Sequence, residues 1–150
     1  MTQTPDLPTD LDTMLCFNLY VASRSVVMAY RPLLEPLGLT YPQYLVMLAL
    51  WTTPHPPTVK ALGETLRLDS GTLSPLLKRL EAAGHLRRHR RAADERELEV
   101  TLTPQGRAMR EQAADVPRLI GERVGLSDER ARELVGLLRE VIGNLDEDEK

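Results

Sequence analysis

Along residues 69–84 the apolar positions Leu73, Leu76, Leu77 and Leu80 fall at i, i+3, i+4 and i+7, one stripe of an α-helix. The opposite face carries Ser70, Thr72, Ser74, Lys78 and Arg79, with almost no apolar residue among them. Asp69 or Ser70 can cap the start by accepting a free backbone N–H, and Gly84 suits a left-handed stop. Upstream, Thr58 to Leu66 predicts a short helix with Thr58 as cap and Leu62 and Leu66 on one face. Arg67, Leu68 and Asp69 leave only a tight connection between the two helices. Downstream, Leu86–Arg91 and Leu98–Leu102 flank a charged stretch. In the second run Leu98, Val100 and Leu102 alternate with polar residues, the period-two mark of a half-buried strand.

Two helices across a tight turn make a helix-turn-helix, and a two-stranded ribbon after them makes a wing. The fold class expected is therefore mainly α with a small β-ribbon: a winged helix-turn-helix over residues 40–103 of a single 150-residue chain. Outside that region, residues 9–37 and 104–146 read as long helices. The first spaces Leu15, Leu19, Val26 and Leu33 helically, offers Thr9, Asp10 and Asp12 as caps, and should bend or end at Pro32 and Pro36. Thr40 and Gln43 make a capping box for a helix apolar nearly all round, which belongs in the core. Thr103 caps a further helix with Pro104 at its first position, interrupted by Pro117, Gly121 and Gly125. Ser127 opens the last helix, striped by Leu134, Leu137, Leu138, Val141, Ile142 and Leu145. These outer stripes exceed what one small winged domain can cover, so they predict dimerisation helices and a two-fold homodimer. Such a dimer would set two reading helices in successive major grooves of double-stranded DNA, roughly 34–36 Å apart.

Composition narrows this further. No apolar run approaches a membrane span and the first twelve residues lack a signal-peptide pattern, so no membrane role and a cytoplasmic location are expected. The single Cys excludes an internal disulfide, and three scattered His make no zinc pattern; neither metal nor cofactor is expected. A net charge of −3, with an acidic tail at residues 146–149, looks wrong for a DNA binder until its distribution is considered. Between Lys60 and Arg110 there are 11 Lys/Arg against 7 Asp/Glu, and Arg87, Arg88, Arg90 and Arg91 crowd the ribbon. A local basic patch is the footprint phosphate binding needs. At the reading helix, hydroxyls from Ser70, Thr72 and Ser74 can reach base edges while Lys78 and Arg79 meet phosphates.

The order of helices, the run LDSGTLSPLLKRLE at 68–81, and Asp94 and Arg96 ahead of VTLT at 100–103 resemble the MarR family of dimeric repressors. The runs LCFNLY at 15–20, YRPLL at 30–34 and LTYPQYL at 39–45 are similar to its organic-hydroperoxide sensors, the OhrR type. The resemblance covers about Leu11 to Leu145. It implies that Arg96 enters the minor groove at the wing tip, steadied by Asp94, with Arg88 and Arg90 among the DNA-binding residues. It also implies that Cys16 is the redox-sensing residue and that Tyr20, Tyr30 and Tyr41 hydrogen-bond around its sulfur. Tyr30 lies 14 residues beyond Cys16, roughly 21 Å along a straight helix, so only an antiparallel partner helix could bring the two together.

The implied function is that of an operator-binding repressor, released from an inverted repeat when an organic hydroperoxide oxidises Cys16 to sulfenic acid. Relatives that lock this change use a second Cys. This chain has none, which fits the one-cysteine class, in which a low-molecular-weight thiol or a backbone nitrogen traps the sulfenate. The alternative is a MarR-type repressor released by a phenolic or drug-like ligand, independent of Cys16. An enzyme such as a thiol peroxidase is disfavoured, since His55, His85 and His89 fall away from the Cys16 face and the basic ribbon would have no purpose.

Overall fold

The computed structural model of the chain describes residues 10–147. The expected cap Thr9 and part of the acidic tail lie outside the described residues. Two compact units divide between Ala114 and Asp115.

The first unit begins with a 3-10 turn, Leu11–Thr13, whose start is capped by the Asp10 carboxylate accepting the Asp12 N–H at 3.0 Å. Met14 then adopts an extended conformation, so the long helix α1 (Leu15–Leu34) starts later than expected and neither Asp10 nor Asp12 caps it. Asn18 ties the two pieces together: its side-chain amide donates to the carbonyls of Asp12 and Met14, both at 2.8 Å. Between Pro32 and Pro36 the α-helix ends, at Leu34, and tightens into a second 3-10 turn, Glu35–Leu37, as expected where two prolines remove ladder bonds. Only Leu34 of the 20 residues in α1 is buried, which makes this helix an outlier in its own unit.

Helix α2 (Tyr41–Thr52) carries the complete capping box: Thr40 and Gln43 exchange backbone-to-side-chain bonds at 3.0 and 3.4 Å. It buries Tyr44, Val46, Met47, Leu50 and Trp51, as its nearly continuous apolar run requires. Helix α3 (Val59–Leu66) is capped by Thr58 and buries Leu62. The turn into α4 (Ser70–Ala82) passes through Arg67 in the left-handed conformation, φ 54°, with the Leu68 N–H donating to the Gly63 carbonyl at 2.9 Å. In α4, Leu73, Leu77 and Leu80 are buried, as the stripe predicts. Asp69, not Ser70, is the cap, accepting the Thr72 N–H at 2.7 Å.

Strands β1 (Leu86–Arg90) and β2 (Leu98–Leu102) pair antiparallel, with Leu86 opposite Leu102 and Arg90 opposite Leu98. Val100 is fully buried beneath the ribbon. Helix α5 (Pro104–Gln112), capped by Thr103, completes the unit. It is held to α2 by the Trp51 indole, which donates to the Gly106 carbonyl at 2.9 Å. Gly106 also faces the backbone of His85, so close that a Cβ there would overlap the His85 carbonyl oxygen.

The second unit contains α6 (Val116–Val124) and α7 (Asp128–Glu147). Gly121 lies inside α6 without interrupting it, and Gly125 stops it at φ 69°. The Ser127 hydroxyl accepts the Arg130 N–H at the start of α7. No residue of α7 is buried; Leu134, Val135, Leu137, Ile142 and Leu145 are all more than 40% exposed.

Candidate nucleic-acid interface and thiol site

Burying Leu73, Leu77 and Leu80 turns the polar face of α4 outward. Ser70, Thr72, Ser74, Lys78 and Arg79 are all exposed there, with the hydroxyls in the first turns and the two cations further along. The arrangement offers short hydrogen-bonding groups at the helix start and positive charge behind them.

The ribbon treats its cations unequally. The Arg88 guanidinium sits 3.1 Å from the Glu81 carboxylate of α4, which also accepts the Arg88 backbone N–H at 2.7 Å. Arg90 donates to the Glu95 carbonyl at 2.7 Å, and Arg91 pairs with Glu97 at 3.0 Å. His89 lies 3.6 Å from Glu99. At the tip the Arg96 side chain is 95% exposed, its Nε 4.0 Å from Asp94, whose carboxylate accepts the Arg96 backbone N–H at 3.1 Å. Arg96 thus projects from a turn that Asp94 fixes, while Arg88 and Arg90 are engaged within the protein.

The thiol residues divide between the two ends of α1. Cys16 is the second residue of the helix and exposed. Tyr20, one turn on, is 60% exposed, and the Arg24 guanidinium stacks over its ring at 5.6 Å. At the far end Tyr30 meets Tyr41 with ring centroids 4.5 Å apart, and Tyr44 at 5.6 Å. Tyr44 in turn contacts Trp51 edge-on at 6.4 Å. Burial first, and then the neighbouring phenols of Tyr41 and Tyr44, push the Tyr30 pKa up to about 12. Burial raises Tyr41 and Tyr44 as well. All three hydroxyls therefore keep their protons at neutral pH and can donate to an anion. Within one chain Tyr30 and Tyr41 come together, and Cys16 does not join them.

A sequence profile described as transcriptional regulator SarA/Rot matches residues 28–112, over half of the chain. An organic hydroperoxide resistance transcriptional regulator of Bacillus subtilis (strain 168) is 46% identical over 124 residues, covering 83% of this chain and 82% of that protein. The chain belongs to the MarR-type family of transcriptional regulators.

A second relative, the HTH-type transcriptional regulator TtmR of Methylorubrum extorquens (strain PA1), is 46% identical over 136 residues, 90% of this chain and 69% of TtmR. Among solved structures, reduced AbfR bound to DNA matches with a TM-score of 0.75 at 36% identity, over 90% of this chain and 94% of that chain. AbfR, from Staphylococcus epidermidis, has also been seen overoxidised on DNA and with a disulfide formed. Among the described residues no helix is long and apolar enough to cross a membrane, and no cluster of three His, Cys, Asp or Glu could hold a metal ion.

Two residues of this MarR-type site escape a reading of the sequence. Tyr44 completes the aromatic cluster, yet inside an almost wholly apolar helix it reads as an ordinary core ring. Glu81 engages Arg88 across seven residues, and no periodicity marks that pair. The spacing from α4 into β1 is the signal that could have found it, since an acid ending a helix faces a cation entering the adjacent strand.

Proposed function

We propose that the protein is a homodimeric, operator-binding repressor that senses organic hydroperoxides through Cys16. The observation that carries this reading is the placement of Cys16 and Tyr20 at one end of α1 and of Tyr30, packed on Tyr41 of α2, at the other, along a helix of which only Leu34 is buried. Two antiparallel α1 helices would bring each Cys16 to the other chain's phenols and cover apolar surface at Leu15 and Val27. The exposed stripe of α7 also lacks cover within its own unit and suits a dimerisation helix. Residues 40–103 then serve as the DNA-binding part, with Ser70, Thr72 and Ser74 at base edges, Lys78 and Arg79 at phosphates, and Arg96 in the minor groove. The naming of relatives as regulators, one of them for organic hydroperoxide resistance, supports a regulatory and not an enzymatic role.

In the sensing step the Cys16 thiolate attacks the terminal oxygen of the hydroperoxide. A sulfur–oxygen bond forms, the oxygen–oxygen bond breaks, and the alkoxide leaves as the alcohol after taking a proton. Sulfur is oxidised by two electrons to the sulfenic acid. With no second Cys in the chain, a low-molecular-weight thiol condenses with the sulfenic acid, forming a mixed disulfide and releasing water. The adduct is too bulky for a site lined by Tyr20, Tyr30 and Tyr41, and the shift of α1 spoils the spacing of the two reading heads on the inverted repeat.

Two mixed dimers test the shared site. In one, the Cys16 chain is intact and its Cys16→Ser partner also carries Tyr30→Phe; here oxidation by cumene hydroperoxide should be slow. In the other, the Cys16 chain itself carries Tyr30→Phe and its Cys16→Ser partner keeps Tyr30; oxidation should run at the normal rate. The opposite ranking would contradict the reading.

A further inference from the structure

Arg88 and Val100 lie opposite each other in the ribbon, and both turn their backbone N–H groups outward, away from the partner strand. On the β1 edge, the Arg88 N–H donates to the Glu81 carboxylate of α4 at 2.7 Å. On the β2 edge, the Val100 N–H donates to the Pro57 carbonyl, just ahead of α3, at 2.9 Å. A single cross-strand row therefore fastens the ribbon to both helices of the helix-turn-helix. The Pro57 bond is made by backbone alone. The Glu81 bond depends on one side chain, which also holds the Arg88 guanidinium at 3.1 Å in a half-buried setting. The Arg88 backbone N–H, and then its guanidinium, keep the Glu81 carboxyl below its ordinary pKa, so this is a charge-assisted contact.

Arg96 lies four residues from Val100 along the chain, at most roughly 13 Å beyond that row at about 3.3 Å per residue. A rotation at the row therefore displaces Arg96. We propose that Glu81 is a positioning residue that locks the wing to the reading helix, so that Arg96 and the polar face of α4 engage DNA as one rigid unit. The inference rests on the DNA-binding reading above and deepens it. Glu81 itself touches no nucleic acid; it fixes where a residue further along the ribbon arrives. Arg88 belongs to the same clamp, its guanidinium serving the protein's own carboxylate instead of a phosphate.

The test is a coupling measurement with a second, DNA-independent arm. Affinity for an inverted-repeat duplex is measured for Arg96→Ala in three backgrounds: Glu81, Glu81→Gln and Glu81→Ala. With Glu81 intact, Arg96→Ala should weaken binding about tenfold. In Glu81→Ala the same change should cost less than about threefold, because a loosened wing no longer delivers Arg96, with Glu81→Gln intermediate. An equal factor in all backgrounds, including no effect in any, overturns the proposal, since a purely structural role for Glu81 would leave the Arg96 contribution intact. On the DNA-free protein, Glu81→Ala should speed amide hydrogen exchange from residues 86 to 102 while leaving α2 unchanged; unchanged ribbon exchange also overturns it. A wild-type chain that binds no such duplex would remove the repressor reading, and the exchange comparison would still decide the clamp.

Discussion

His85 is buried where α4 hands over to β1, and its Nδ1 has no hydrogen-bond partner. Burial lowers its pKa from the ordinary 6.5. The folded protein therefore refuses a proton that the unfolded chain accepts, and stability is fully present above that ordinary value. It falls as pH drops below it, until the lowered folded value is passed. Thermal unfolding across a pH series should show this loss, and His85→Leu, which removes the titrating ring and an orphaned polar atom, should remove it without lowering stability at pH 7.5. A wild-type curve flat between pH 7.5 and 5, or an unaltered slope in His85→Leu, would contradict this account. Nothing in the sequence separated His85 from His89 four residues later; only burial does. The same holds for the cations of the ribbon. The run of arginines was legible as a basic patch, but whether each faces solvent or a carboxylate depends on the strand's docking against α4, which a one-dimensional pattern does not contain.

Elements were far more legible than side-chain partners, because caps and stripes are local. The stripe of α4 and the Thr40 capping box follow from spacing alone, and both appear in the structure. The alternation expected of β2 holds only at its centre: Val100 is buried, Leu98 is exposed and Leu102 is half-buried. The start of α1 was misread, since Asp10 caps a separate 3-10 turn and the extended Met14 leaves no sequence signature. At this scale α5 is the most exacting element: Gly106 lets it lie directly on the His85 backbone while receiving the Trp51 indole. Gly106→Ala should therefore destabilise by about 1–3 kcal/mol through overpacking, read as a lowered urea midpoint. An unchanged midpoint would show that α5 can move away freely. On α4, Thr72 is exposed in the first turn, the position proposed above for a base-edge contact. Thr72→Ala should change the preference among operator variants more than the overall affinity; equal loss on every variant would make Thr72 a positioning residue.

For the whole molecule, the decisive feature is how little of α1 and α7 the single chain buries. Leu15 and Met28 on α1, and Leu137 and Leu145 on α7, are each more than half exposed. Apolar surface on that scale is costly in water, and the proposed homodimer would cover it. Sequence periodicity already showed this excess of stripe, and family resemblance implied that the two chains share each thiol site. The central claim is that Cys16 is the trigger, and one measurement tests it most directly. Operator binding is followed by fluorescence anisotropy for the wild type and Cys16→Ser, before and after cumene hydroperoxide, with and without a small thiol. Serine keeps the size of the side chain and a hydrogen-bonding group but cannot climb the sulfur oxidation ladder. Both proteins should bind before treatment. Peroxide with thiol should release the wild type and leave Cys16→Ser on the DNA. Release of Cys16→Ser at the dose that releases the wild type would contradict the account.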